Sequence, residues 1–349
     1  MTTVESILLA AVATVTALAG VARYTGFVPD VAAFVVAGFA LAGGAWIVSM
    51  ATEQLGQRTG PAVTGLAQST LGNLPEFFVV IFALQAGQKI VAETAIIGSI
   101  LVNALLVLGL VIVAGARRER DGVMRFSVRL PNDTATLVLI ATFIIVLVAL
   151  AHSAHDPASH HLQTISIIGA IAILGTYGFW LSQYLHSDQA GSREPARLSL
   201  LVTGLLLAGA GTQSAFVSDW FVHGLQPAIH TLHISQTFAG LVIVAIAGNA
   251  VENVTGIVLA AKGRYELAIS VVKNSVAQIA AFLYPALVLV SLLTATSLTF
   301  SLAPVYVGAL FGMAVIMWQI TGDGEATVFE GLALVAVYVI LAAVALYEI

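Results

Sequence analysis

The sequence predicts an all-α polytopic membrane protein. It has about eleven transmembrane helices: an inverted repeat of five plus five behind one extra N-terminal helix. Three observations predict this. Of 349 residues, 59% are hydrophobic and 9% charged, whereas soluble domains carry about 25% charged residues. Apolar windows long enough to cross a bilayer recur along the whole chain. The pentapeptide Gly72-Asn73-Leu74-Pro75-Glu76 returns half a chain later as Gly248-Asn249-Ala250-Val251-Glu252.

The windows fall at roughly 4–22, 31–53, 62–86, 91–114, 134–151, 163–184, 198–217, 236–260, 266–292, 303–318 and 326–346. Turn chemistry separates them: Gly26 to Asp30 with Pro29, Gly56 to Pro61, Gly87 to Lys89, Pro131 to Asp133, and Gly322 to Glu325. No Lys or Arg precedes the first apolar run. A cleaved signal peptide wants a basic start, so residues 4–22 read as a retained span. No basic stripe suits nucleic acid. With no cysteine, disulfides and thiolate metal sites are excluded.

Charge sets the expected orientation. With loops assigned alternately to two faces, one face takes Arg58, Arg117, Arg118, Arg120, Arg125, Arg129, Arg193, Arg197, Lys262 and Arg264. The other takes Arg23 and Lys89, and Lys273 lies inside a span. The positive-inside rule makes the first face cytoplasmic, with the N-terminus inside and the C-terminus outside, in the plasma (inner) membrane. The basic 115–133 loop reads as an ordinary cytoplasmic connector within reach of anionic headgroups.

The repeat extends beyond the pentapeptide. In the register that puts Gly72 on Gly248, Gly87 falls on Gly263, Gly98-Ser99 on Asn274-Ser275, and Gly109 on Pro285. The divisions expected are an extra helix at 1–28, a first repeat at 29–186 (spans 2–6), a cytoplasmic linker at 187–197 and a second repeat at 198–349 (spans 7–11). Each half has an odd number of spans, so the halves enter the membrane from opposite sides. Inverted repeats meeting near the midplane are a signature of secondary transporters.

A carboxylate at the bilayer centre costs about 2.5–3.5 kcal/mol on insertion scales, which makes Glu76 and Glu252 functional candidates. Residues three apart share a helix face, so Asn73 pairs with Glu76 and Asn249 with Glu252. Pro75 has no N–H and leaves the Leu71 carbonyl without its helical donor. Gly72 and Gly248 admit close approach of backbone or an ion. Two acids, two amides and carbonyls form a hard oxygen set, which suits Ca²⁺ better than Mg²⁺ or Mn²⁺. Two such carboxylates in a low dielectric cannot both stay ionised and empty. One divalent cation or two protons would neutralise the pair, which is the minimum requirement for antiport. Ser99 with Asn103, and Ser275 with Gln278, share faces of the following spans. They read either as ligands or as interhelical packing.

The stretch Gly72 to Gly109, with GNLPE, ALQAG, GSILVN and LLVLG, resembles the first signature of the cation/proton exchanger family of Ca²⁺/H⁺ antiporters. Residues 248–291, with GNAVEN, NSVAQIA and the Pro285 stretch, resemble the second, and Ala51-Thr52-Glu53 also matches. The resemblance covers most of the chain from about residue 40. It implies an inverted five-plus-five fold of the Ca²⁺/cation antiporter superfamily. It also implies that Glu76 and Glu252 bind Ca²⁺ and exchange it for protons, with no cofactor and no enzymatic step. Three departures stand out. Asn253 replaces a frequent His, Asn274-Ser275 preceded by Lys273 replaces Gly-Ser, and the linker between halves is short and weakly acidic, with Asp188 and Glu194.

Further residues keep two readings. Glu53, closing span 2, and Asp219, closing span 7, line the path by resemblance or are interfacial acids. Glu93, Glu266 and Glu330 near span ends read as solvated or paired. Lys273 snorkels, pairs with an acid or acts as a tethered competing charge. The plain expectation is a contact with lipid or Glu266. His152, His155, His160, His161, His223, His230 and His233 fall on the outer side and His186 inside. They form a pH-responsive cluster, a loose Zn²⁺ site, or polar loops without a role. The rival functions are Na⁺/Ca²⁺ exchange, exchange of K⁺, Na⁺ or Mn²⁺ for protons, a passive channel, and an intramembrane enzyme. The sodium exchangers usually carry Thr or Ser where Asn73 and Asn249 stand. No HExxH or Gly-x-Ser-x-Gly motif supports an enzyme.

Overall fold

The computed structural model describes residues 2–59, 71–127, 129–187 and 197–348. The helices are α1 (Thr3–Thr25), α2 (Asp30–Thr59), α3 (Leu74–Gln85), α4 (Lys89–Ala116), α5 (Arg129–Ser153), α6 (Leu162–Ser187), α7 (Leu200–Leu232), α8 (Gln236–Gly248), α9 (Ala250–Ala261), α10 (Tyr265–Leu293), α11 (Pro304–Thr321) and α12 (Val328–Tyr347). Among the described residues, nine helices are long and apolar enough to cross a membrane. Counted as one span, the bent pair α8–α9 brings the number to ten, and α3 is a shorter apolar helix. The chain is an integral membrane protein. The start of the third expected span, residues 62–70, and most of the 187–197 linker lie outside the described residues, with Arg193, Asp188 and Glu194.

Capping chemistry fixes several ends. Thr2 and Glu5 form a capping box at α1, and Gly26 closes that helix in the left-handed region at φ 62°. Thr327 and Glu330 form a second box at α12. Glu330 is thus a cap, and Glu93 pairs with Lys89 at 3.5 Å. One boundary differs most from the sequence expectation. α7 does not end near residue 217 but runs on to Leu232 through Pro227. A buried face of Val217, Ser218, Phe221, Val222 and Leu225 holds that extension against the core. Asp219, His223 and His230 therefore sit within a helix instead of closing a span or lying in a loop.

The chain divides into two compact units. The first comprises residues 1–86, 178–234 and 247–251. Here α2 and α7 pack along their length, flanked by α1 and α3. The Gln213 amide donates to the Ala40 carbonyl at 2.7 Å and to Thr16 Oγ1 at 3.2 Å, tying α7 to α2 and α1. At one end Arg197 pairs with Glu5 at 3.1 Å, Arg58 donates to the Leu198 carbonyl, and Gln54 accepts from the Arg197 N–H at 3.0 Å.

The second unit comprises residues 87–177, 235–246 and 252–349. Its centre is α4, the most enclosed of the spans. α4 meets α8 backbone to backbone: a Cβ at Gly98 would collide with the Leu241 carbonyl, and one at Gly240 with Thr94 and the Val91 carbonyl. Gly109 and Gly331 make a reciprocal contact between α4 and α12. Small residues permit such approaches where lipid supplies no hydrophobic drive.

The 115–133 loop is more than a connector. Strand β1 (Val123–Arg125) pairs antiparallel with β2 (Glu325–Thr327). Arg125 bridges Asp121 at 2.8 Å and Glu325 at 3.2 Å, which holds the Asp121 carboxyl below the usual carboxylate range. Arg118 donates to the Ala261 carbonyl at 3.1 Å, closing the C-terminus of α9 with a cation. The Tyr265 hydroxyl donates to Glu119. The side chains of 129–133, including Arg129, are not described. At the opposite end, Ser235 donates to the Ala345 carbonyl at 2.6 Å and Tyr306 to Glu348 at 2.6 Å. In both units these contacts join segments that the alternation of spans places on one face.

Candidate site at two broken helices

The first motif occupies a helix break. Leu71 and Gly72 are helical, the turn falls at Asn73, and α3 restarts at Leu74. Asn73 is the N-cap residue, with φ −87° and ψ 6°, and Pro75 lies in the first turn. A proline costs nothing there, because first-turn N–H groups have no helical partner. Glu76 is third in the helix, where the positive end of the dipole favours a carboxylate by about 0.3–1 kcal/mol.

The second motif repeats this break without a proline. α8 ends at Gly248, α9 starts at Ala250, and the two are bent by 62° about Asn249. Glu252 is again third in its helix, half-buried where Glu76 is buried. A Gly-Asn pair stands at the interruption in both motifs, and Pro75 suits the helix start that follows in the first. Asn73 and Asn249 stand at the breaks, not one turn back on a continuous face.

The motifs come together at Glu76. Asn249 Nδ2 donates to Glu76 Oε1 at 2.6 Å, with Asn249 1% and Glu76 7% exposed. A Cβ at Gly248 would stand 2.8 Å from Glu76 Cγ, so only glycine lets the second motif lie flat against the acid. Ser218 of α7, fully buried, donates to the Pro75 carbonyl at 3.3 Å. Sequence reasoning missed Ser218. Its only signal was its place beside Asp219 in an apolar run, which is too common to select it.

The other candidates are distributed as follows. Ser99 and Asn103 are buried on α4, and Asn103 Nδ2 donates to the Ser99 carbonyl at 2.9 Å. Asn103 lies in a π-helical stretch, Val102–Val107. Ser275 is buried on α10, and half-buried Gln278 immediately precedes a second π-stretch, Ile279–Leu283. In the repeat register these wide turns coincide, and π-turns recur at functional sites. A third lies at Ala239–Val244. Half-buried Asn253 has its Oδ1 enclosed without a hydrogen-bond partner. Glu53 is exposed on α2, which continues to Thr59, and Asp219 is half-buried. Among the described residues no three His, Asp or Glu side chains converge as a metal site.

Lys273 departs most from expectation. It is 1% exposed and donates to Thr321 Oγ1 at 2.6 Å, while Thr321 donates to the Met317 carbonyl at 2.7 Å. It neither snorkels nor meets Glu266, which is exposed. The pair ties α10 to α11. Thr321→Val strands a buried donor and is expected to cost about 1–3 kcal/mol. Lys273→Met, similar in volume, should cost less than the Thr321 change. Thermal unfolding of the two variants and the double mutant checks this, and additive effects would exclude the coupling.

The comparisons agree with this architecture. The sodium/calcium exchanger protein family matches residues 29–183 and 201–347. The vacuolar calcium ion transporter of Schizosaccharomyces pombe is 31% identical, over 84% of this chain and 74% of its own. The Ca²⁺/H⁺ antiporter ChaA of Bacillus subtilis is 30% identical over 84% and 85%. The structure of native YfkE superposes with a TM-score of 0.82 at 27% identity, covering 97% of this chain and 99% of that one. With the family matched across both halves, the chain belongs to the sodium/calcium exchanger protein family.

Proposed function

We propose that this chain is a secondary antiporter that exchanges cytoplasmic Ca²⁺ for external protons, with Glu76 and Glu252 as the acids for which cation and protons compete. The observation that carries the reading is the Asn249–Glu76 hydrogen bond. It binds the first motif's acid to the second motif three residues before that motif's own acid. Each glutamate opens a half-helix, the arrangement by which transporters place polar groups at membrane depth. Carboxylates, amides and carbonyls suit a calcium ion. Ser99, Ser275, Asn73 and Asn249 are further oxygen-bearing side chains in the motifs. The names of the Bacillus and fission-yeast relatives support calcium as cargo, and the former supports protons as counter-ion.

The inverted five-plus-five arrangement with boundaries at 29–186 and 198–349 is part of the proposal. Matching breaks at Asn73 and Asn249, π-turns in register, and a family match in two segments support it. The excess of basic residues on one set of loops supports a cytoplasmic position for that face. Everted membrane vesicles provide the test. An imposed pH gradient is expected to drive ⁴⁵Ca²⁺ uptake that a protonophore collapses and that needs no Na⁺. Uptake driven by a Na⁺ gradient alone would show sodium exchange instead.

A further inference from the structure

The end of the first unit away from Arg58 and Arg197 carries a feature the transport reading does not use. A cavity of about 160 Å³ opens where α1 ends, α2 begins and α7 passes. Its walls include Arg23, Asp30, His223 and Trp220. A groove of about 520 Å³ shares Trp220 and runs along α1 past Leu9, Val12, Ala13, Thr16 and Gly20, with Ile47 of α2 opposite. From Leu9 to Gly20 a helix rises about 16 Å, close to half the ~30 Å hydrocarbon thickness. The groove is therefore as deep as one leaflet and mostly apolar, and its polar cavity sits where headgroups begin.

The charges at the polar end select the headgroup. Arg23 is one of two basic residues on its face. The other, Lys89, has Glu93, whereas Arg23 makes no ion pair among the described residues and its Nε is buried without a hydrogen-bond partner. Its guanidinium lies 5.6 Å from the Tyr24 ring centroid, and Trp220 Nε1 reaches the Tyr24 hydroxyl at 3.4 Å. An arginine with unspent donors accepts phosphate readily, and the aromatic pair suits the interface. Asp30, on the same cavity, offers a carboxylate to a cation. We propose that this groove holds one phospholipid with a phosphoethanolamine headgroup, its phosphate on Arg23, its ammonium on Asp30 and one acyl chain along α1.

The test is native mass spectrometry of the full chain. The protein is extracted in mild detergent from membranes of equal phosphatidylethanolamine, phosphatidylglycerol and phosphatidylcholine content. The wild type is expected to retain one phosphatidylethanolamine per chain in preference to the other two. Arg23→Gln should cut retention of all phospholipid about tenfold. Asp30→Asn should keep a bound phospholipid but lose the preference for phosphatidylethanolamine over phosphatidylglycerol. Ala13→Phe should plug the groove and lower retention with the headgroup residues intact. Calcium transport and thermal unfolding of each variant show that it is folded. Equal retention of the three lipids by the wild type overturns the proposal. So does unchanged retention in Arg23→Gln, or a second copy of the chain occupying the α1 groove.

Discussion

Glu76→Gln is expected to reduce pH-gradient-driven calcium uptake to background, and Glu252→Gln to do the same. Glutamine keeps the shape of the side chain and still accepts from Asn249, so the buried contact at 2.6 Å survives as a neutral hydrogen bond. Charge and titration are what disappear. A bound divalent cation then lacks one of two formal charges, and a proton has nowhere to sit. The measurement pairs vesicle uptake with thermal unfolding: uptake lost with the midpoint held indicates chemistry, and both lost indicates folding. Glu76→Asp is the graded companion. Its carboxylate withdraws by one methylene from Asn249, so weakened uptake should accompany a higher calcium requirement. Full transport by either glutamine variant would remove these residues from the exchange reaction.

Gly98→Val is expected to have the largest effect on folding. Overpacking costs about 1–3 kcal/mol even where side chains can move aside. At Gly98 the obstruction is the backbone of Leu241, its Cα 2.6 Å from an added Cβ. A valine there should prevent accumulation of folded protein or lower its unfolding temperature sharply. Gly308→Ala is the control, since nothing lies within 4 Å of that position, and alanine there removes only chain freedom. Comparable unfolding temperatures for the two variants would show that α4 and α8 are less tightly crossed than described.

Much of this was legible in the sequence because hydrocarbon is a demanding solvent. It forces spans into long apolar runs and makes every intramembrane acid conspicuous, so Glu76 and Glu252 stood out. The repeat was legible because its glycines and asparagines recur at one spacing. What failed to show had physical reasons. The extent of α7 was hidden because Asp219 and His223 look like the end of an apolar run, although a buried face carries the helix past them. Pro75 drew attention from the Gly-Asn pair because a proline is a visible breaker, yet the second copy breaks without one. The β1–β2 pairing was invisible because each strand is three residues long and finds its partner 200 residues away. Lys273 could not be placed because its partner is an uncharged threonine 48 residues on. The asymmetry at Gly98 and Asn274, noticed as a departure from pattern, now has a cause on one side. Leu241 forbids a side chain at Gly98, while half-buried Asn274 has room to reach Ser270 Oγ at 3.3 Å.

The Gly98–Gly240 crossing also limits how the molecule can work. At Gly98 the backbones of the two helices face each other directly, so sliding or tilting of one over the other there meets hard repulsion at once. α4 and the first part of α8 therefore behave as a single rivet, and an alternating cycle must find its hinge elsewhere. The chain offers such a place a few residues on, where α8 gives way to α9 at Asn249. With a rigid crossing on one side of that asparagine and a 62° bend at it, the Gly-Asn break is where this stretch of chain has room to flex.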